Sequence, residues 1–205
     1  MVSVYQLKTG FQNLLRPLVR QLAGAGITAN AVTLFAFFLS LLVGLWLAFV
    51  PASRLAYLAY PLLLFIRMAL NAMDGMLARE CGQKSHLGAF LNELCDVLSD
   101  AALYLALGML ATASMGLAAI FTTLAVTTEV TGLTAAGIGA SRRYDGPMGK
   151  SDRAFVIGAY MLIAAFVPNT IEWMNPLLIV LSMLCILTIF NRIHKGLQEL
   201  KKVKI

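Results

Sequence analysis

Six long apolar stretches decide most of what this chain can become. They fall at about 31–50, 55–79, 86–111, 115–140, 153–168 and 174–192. A helix needs roughly 20 mainly apolar residues to cross the hydrocarbon core of a bilayer. Inside that core each backbone N–H and C=O must be satisfied by the segment itself, so such stretches become helices. Hydrophobic residues make up 60% of the chain and charged residues only 13%, far below the usual ~25% charged of a soluble domain. The expected fold is all-α and integral to the membrane, with six transmembrane helices over residues 31–192.

Residues 1–30 read differently. Val4, Leu7, Phe11, Leu14, Leu15, Leu18 and Leu22 keep helical spacing, while Lys8, Gln12, Arg16 and Arg20 lie off that stripe. This pattern predicts an amphipathic interfacial helix lying at the membrane surface. Pro17 should bend it, Gly24 and Gly26 should end it, and Thr28 should cap the first span. The charged region ahead of the first apolar run is too long for a secretory signal. Residues 193–205 read as a basic cytoplasmic tail. With the N-terminus inside, nearly all Lys and Arg fall on the cytoplasmic side and only Arg54 in an outer loop. This asymmetry predicts a multi-pass protein with both termini in the cytoplasm. Basic residues next to hydrophobic spans suit membrane lipids as partners and argue against nucleic acid. Three scattered cysteines, Cys81, Cys95 and Cys185, make neither a disulfide framework nor a metal knot.

Between two of the spans, residues 71–100 hold five of the ten acidic residues: Asp74, Glu80, Glu93, Asp96 and Asp100. A carboxylate within a membrane helix costs about 3 kcal/mol or more and usually has a task. Asn92, Asp96 and Asp100 recur every fourth residue and share a face, as do Asn71 and Asp74. A turn at about residues 80–85 folds the two helices into a hairpin. Counting back from it, Asp74 lies level with Asn92, Asn71 with Asp96, and Arg67 with Asp100. The first two pairs make an all-oxygen cluster suited to Mg²⁺, Mn²⁺ or Ca²⁺ more than to zinc. The third pair is expected to be structural, a buried Arg67 relieving a buried Asp100. Glu129, deep in the fourth span, either competes for Arg67 or stays protonated. Gly75 and Ala78 leave room for a ligand close to the backbone, and Arg79 is placed to orient Asp74 or meet a phosphate. His86 and His194 are expected to be solvated.

The loop from Ser141 to Arg153 brings Arg142, Arg143, Lys150 and Arg153 around a Gly146–Pro147 turn. Topology-setting charge and a phosphate pocket are both open readings of it. Small residues in spans three and four (Ala101, Ala102, Ala106, Gly108, Gly132, Ala136, Gly139 and Ala140) predict close helix packing.

Asn71-x-x-Asp74-Gly75-x-x-Ala78-Arg79, eight residues, Gly88, three residues, Asn92, three residues, Asp96 resembles the signature of the CDP-alcohol phosphotransferase family, D-x-x-D-G-x-x-A-R…G-x-x-x-D-x-x-x-D. Every spacing agrees over about 26 residues, and the six-span layout and amphipathic N-terminal helix are also family-like. The L-N-A-x-D-G-M-L-A-R-E-C opening resembles a bacterial inner-membrane subgroup. The resemblance implies a membrane transferase in phospholipid biosynthesis. It would pass a phosphatidyl group from a CDP-diacylglycerol-like donor lipid to an alcohol or alcohol phosphate, with release of CMP. It implies a divalent cation, Mg²⁺ or Mn²⁺, on Asp74, Asp96, Asn71 and Asn92, with Asp96 also the catalytic base. It further implies the CDP moiety on Gly75, Ala78, Arg79 and Gly88, an acceptor phosphate on Arg142, Arg143, Lys150 and Arg153, and a homodimer. Asn71 and Asn92 stand where the family has its first and third aspartates, which removes two negative charges and implies one tightly held cation, or weak binding of a second, in place of an intact pair. The competing readings are a non-catalytic nucleotide or lipid binder and an ion-coupled transporter with Asp74, Asp96, Asp100 and Glu129 as its relay. Transport lacks the broken spans in matching halves that it would need.

Overall fold

The computed structural model describes residues 4–51, 53–110 and 112–203, without the side chains of 4–9 and 203. Seven α-helices and one 3₁₀ segment make up the fold, and the described residues include no strand. In order they are α1 (Val4–Gly24), α2 (Ala29–Phe49), α3 (Arg54–Glu80), α4 (His86–Leu107), α5 (Met115–Gly137), α6 (Lys150–Phe166), the 3₁₀ segment Pro168–Trp173, and α7 (Met174–Val203).

Four segments are long and apolar enough to cross a membrane: Ala29–Phe49, Arg54–Glu80, Met115–Gly137 and Pro168–Lys202. The expectation of six spans is therefore met in part, and the two exceptions have physical reasons. α4 carries Glu93, Asp96 and Asp100, so no membrane-length window of it is sparsely charged. α6 has 17 residues, or about 25 Å at 1.5 Å per residue, against a hydrocarbon core of ~30 Å. The expected tail beyond residue 192 is also not a separate segment, because α7 continues through it to Val203. Lys204 lies outside the described residues, as do the side chains of Val4, Leu7 and Lys8.

The chain divides into two compact units. The first comprises residues 1–42 and 63–99. Its core gathers Val19, Ala29, Val32, Met73, Met76 and Leu77, with Leu15, Leu22 and Ala78 at the edge. The apolar stripe of α1 thus has two sides. Leu15, Val19 and Leu22 turn into the protein, whereas Leu14 is 75% exposed and Leu18 44%. α1 runs through Pro17 without a break and stops at Gly24, and Gly26 makes the following turn with φ +77°. Thr28 caps α2, its Oγ1 accepting from Ala31 N at 3.2 Å. Phe11 meets Phe65 edge-on at 6.4 Å, and Arg16 pairs with Glu80 at 3.0 Å. Gln83, in the turn after α3, accepts from Ala29 N at 2.7 Å and donates to Ile27 O at 3.4 Å. These contacts fix α1, the start of α2 and the α3–α4 turn as one body.

The second unit comprises residues 43–62 and 100–205. In it α5 packs along α7. A Cβ at Gly44 would sit 3.1 Å from Ala102 O, and one at Gly108 2.8 Å from Ala118 Cβ, so the small residues serve close packing as expected. Tyr60 donates to Leu103 O at 3.0 Å, and Tyr104 leans on Phe121 with ring centroids 5.0 Å apart. Asn175 ties the far end of α7 to the α4–α5 connection, donating to Thr112 O and accepting from Ser114 N.

Candidate functional site

In the first unit, α3 and α4 form the hairpin that the spacing predicts, closed by residues 81–85 with Gly82 at φ +71°. Ser85 opens α4, its Oγ accepting from Gly88 N at 2.9 Å. The register brings Asn71 to Asp96, with Asn71 Nδ2 donating to Asp96 Oδ1 at 2.9 Å. Arg67 sits one turn away from its predicted partner level. Its Nη2 donates to the Asp96 carbonyl at 3.0 Å and lies 3.5 Å from Asp96 Oδ1. Asp96 is thus held from two sides, by an amide and by a guanidinium. For Asp100, expected opposite Arg67, the structure supplies Arg153 at 3.4 Å.

Asp74 is buried, and its Oδ2 accepts from Thr33 Oγ1 at 2.8 Å. That hydroxyl is also 3.1 Å from Ala29 O, one helical turn back in α2. Thr33 is a site residue that sequence reasoning missed, because nothing in the spacing of α3 and α4 points to a partner on α2. Asn92 is half-buried on α4. Arg79 folds back over Gly75, where a Cβ would lie 2.9 Å from its Nη2. Gly88 has a similar reason to be glycine, since a Cβ there would lie 2.8 Å from Asn30 Oδ1 at the start of α2.

Among the described residues no three His, Cys, Asp or Glu side chains converge as metal-holding groups do. The donors present are the carboxylates of Asp74 and Asp96 and the amide oxygens of Asn71 and Asn92. This is hard oxygen chemistry that fits Mg²⁺ or Mn²⁺.

The second unit holds the basic loop. Arg142 stacks on Tyr144, 5.1 Å from the ring centroid. Arg143 bridges Asp145 and Glu199, both at 2.7 Å. These carboxylates, Asp145 foremost, hold its guanidinium above its ordinary value. Lys150 opens α6, where Asp152 Oδ2 accepts from Gly149 N at 3.0 Å. Arg153 has no exposed surface. It donates to Thr128 Oγ1 (2.9 Å), Met148 O (3.0 Å), Glu129 Oε1 (3.1 Å), Asp100 Oδ2 (3.4 Å) and Tyr104 Oη (3.4 Å). Arg192, on α7, is 2% exposed. It reaches Glu129 at 3.6 Å and donates to the carbonyls of Asp145 and Thr128. The expectation that Glu129 competes for Arg67 is corrected: it sits between Arg153 and Arg192.

Comparison with known proteins bears on both units. Residues 26–191 match the CDP-alcohol phosphatidyltransferase family. The inner membrane protein YnbA of Escherichia coli (strain K12) is 46% identical over 191 residues, 93% of this chain and 94% of that protein. An archaetidylinositol phosphate synthase of Pyrococcus horikoshii is 38% identical over 101 residues, 43% of this chain and 49% of that protein. Phosphatidylinositol phosphate synthase of Mycobacterium tuberculosis, solved with CDP-DAG bound, shares the fold with a TM-score of 0.72 at 21% identity, covering 88% of this chain and 92% of that one. The same enzyme solved with manganese and citrate gives a TM-score of 0.72 over 88% and 87%.

Proposed function

The chain belongs to the CDP-alcohol phosphatidyltransferase family, and on that footing we propose that it transfers a phosphatidyl group from a CDP-linked lipid, CDP-diacylglycerol or a close analogue, to the hydroxyl of an alcohol or alcohol phosphate. The observation that carries the reading is the 2.9 Å register contact between Asn71 and Asp96, which sets the two halves of the family signature face to face. CDP-DAG bound to a protein of the same fold supports the choice of donor.

The residues take these roles. Asp74 and Asp96, with the carbonyl oxygens of Asn71 and Asn92, would hold one Mg²⁺ or Mn²⁺. When bound, that cation supplies charge that neutralises the pyrophosphate and the departing CMP. The CDP moiety is assigned to Gly75, Ala78, Arg79 and Gly88; Arg79, folded over Gly75, and Asn30, against Gly88, would have to swing aside to admit it. Asp96 accepts the proton of the acceptor hydroxyl, and Asn71 and Arg67 fix its orientation. The acceptor oxygen then forms a bond to the lipid-bearing phosphorus. The bond from that phosphorus to the bridging oxygen breaks, and CMP carries away the electron pair. Arg142, Arg143, Lys150 and Arg153 serve the acceptor. The protein works in the inner membrane as a homodimer, with α1 along the surface and both termini cytoplasmic.

The test is CMP release by the purified protein in nanodiscs, given CDP-diacylglycerol, Mg²⁺ or Mn²⁺ and a panel of alcohols and alcohol phosphates. Release that needs the cation, and that Asp96→Asn abolishes, is the expected outcome. A second reading, a non-catalytic nucleotide binder, is favoured only by the amides at positions 71 and 92. Nucleotide binding without release across the panel would establish it instead.

A further inference from the structure

Resting on the transferase reading above, we infer that the acceptor is a neutral polyhydroxy alcohol and not its phosphate ester, and that Glu129 is the specificity-determining residue. The observation is charge balance. The basic loop looks cationic in sequence, but in the folded second unit its arginines meet Asp145 within the loop and Asp100, Glu129 and Glu199 from three other places in the chain. Arg143 pairs with Asp145 and Glu199, Arg153 with Asp100 and Glu129, and Arg192 with Glu129, while Arg142 stacks on Tyr144. The balance is tightest where burial is deepest. Arg153 and Arg192 are 0% and 2% exposed, and both reach the same Oε1 of Glu129, whose side chain is 13% exposed.

A phosphate monoester carries about −1.5 to −2 charge at neutral pH and brings mainly acceptor oxygens. To use Arg153 and Arg192 it must either expel Glu129 from its two arginines or leave an uncompensated buried negative charge, and each course is costly. A hydroxyl both donates and accepts. A polyol can therefore give its O–H groups to the partly exposed Glu129 and Asp145 without adding charge. Glu129 holds in this chain the place a phosphate would take between the two arginines, and so selects against phosphate.

The decisive comparison uses wild type, Glu129→Gln, and the double variant Asp145→Asn/Glu199→Gln, whose changes lie on the half-exposed Arg143 and spare the buried core. Inorganic phosphate and sn-glycerol 3-phosphate are titrated into the nanodisc-embedded proteins by calorimetry. CMP release is measured in parallel with glycerol and inositol against their phosphates. Wild type should show no saturable phosphate binding below about 1 mM. Glu129→Gln should gain such binding and shift the phosphate-to-neutral ratio of kcat/KM upward by at least about tenfold, with the double variant moving the same way by less. Saturable phosphate binding by wild type, or no gain of binding in Glu129→Gln, would overturn the inference. Calorimetry decides this even if no acceptor supports turnover, an outcome that would count against the transferase reading alone.

Discussion

Replacing Asn71 by aspartate sets a second carboxylate against Asp96, and the structure says how much that should cost. The amide nitrogen that now donates at 2.9 Å becomes an oxygen at the same place, so a favourable contact turns into two like charges about 4 Å apart between centres. At an effective dielectric of ~20 this repulsion is worth about 4 kcal/mol. Arg67, 3.5 Å from the same Asp96 oxygen, takes back part, which leaves roughly 2–4 kcal/mol of destabilisation. For a chain of this size that corresponds to a fall in Tm of roughly 5–15 °C. A divalent cation reverses the sign, because the added carboxylate then becomes a ligand. At a cation concentration about 100 times Kd the recovery is ~2.7 kcal/mol. The assay is thermal unfolding of wild type and Asn71→Asp in detergent, with EDTA and with Mn²⁺. The variant should be clearly less stable in EDTA and should regain more than wild type on adding Mn²⁺. Equal Tm values in EDTA would mean that residues 71 and 96 are not in contact. An equal deficit under both conditions would mean that the hairpin face holds no cation.

Other substitutions test other parts of the structure. Thr33→Val removes the hydroxyl on Asp74 and should lower stability by about 1–3 kcal/mol, seen as a lower Tm in EDTA. Arg153→Met strips Glu129 and Asp100 of a buried cation and should cost about 3–5 kcal/mol; the Arg153→Met/Glu129→Gln pair should cost less than the sum, which a double-mutant thermal series would show. Gly132→Ala would put a Cβ 2.6 Å from Arg143 O, a backbone clash that should cost about 1–3 kcal/mol and be visible as reduced heat resistance.

The helical character of the chain was open to reading because bilayer physics leaves so little choice for a long apolar run, and the α3–α4 register followed from two residue periods and one turn. The spacing could place Asn71 opposite Asp96 because both lie on the same hairpin, 25 residues apart. It could not assign Arg67, Asp100 and Glu129 their partners. Periodicity shows which face of a helix a charge occupies but not which distant helix meets that face. Arg153 finds Asp100 and Glu129 across 53 and 24 residues, and Arg192 finds the Thr128 carbonyl across 64. The ion pairs of the basic loop were hidden for the same reason, since its cations are contiguous in sequence and Asp100, Glu129 and Glu199 are not. The end of α7 was taken as a tail because hydropathy stops at Arg192. A helix does not stop for that reason, since Lys, Gln, Glu and Leu are good helix formers in any solvent.

Thr33 has one proton and two acceptors within reach, Asp74 Oδ2 at 2.8 Å and Ala29 O at 3.1 Å. A hydroxyl rotates about a single bond, so the proton can pass from one acceptor to the other without any heavy atom moving. Asp74 is therefore tethered by a latch with its own resting place. When a ligand draws the carboxylate away, the hydroxyl turns back to the helix carbonyl and leaves no orphaned donor behind. An arginine or lysine in that position would have to be pulled off against its full charge. In the proposed role of Asp74 as a cation ligand, a threonine there would steady the carboxylate and give up its own hydrogen bond at little cost.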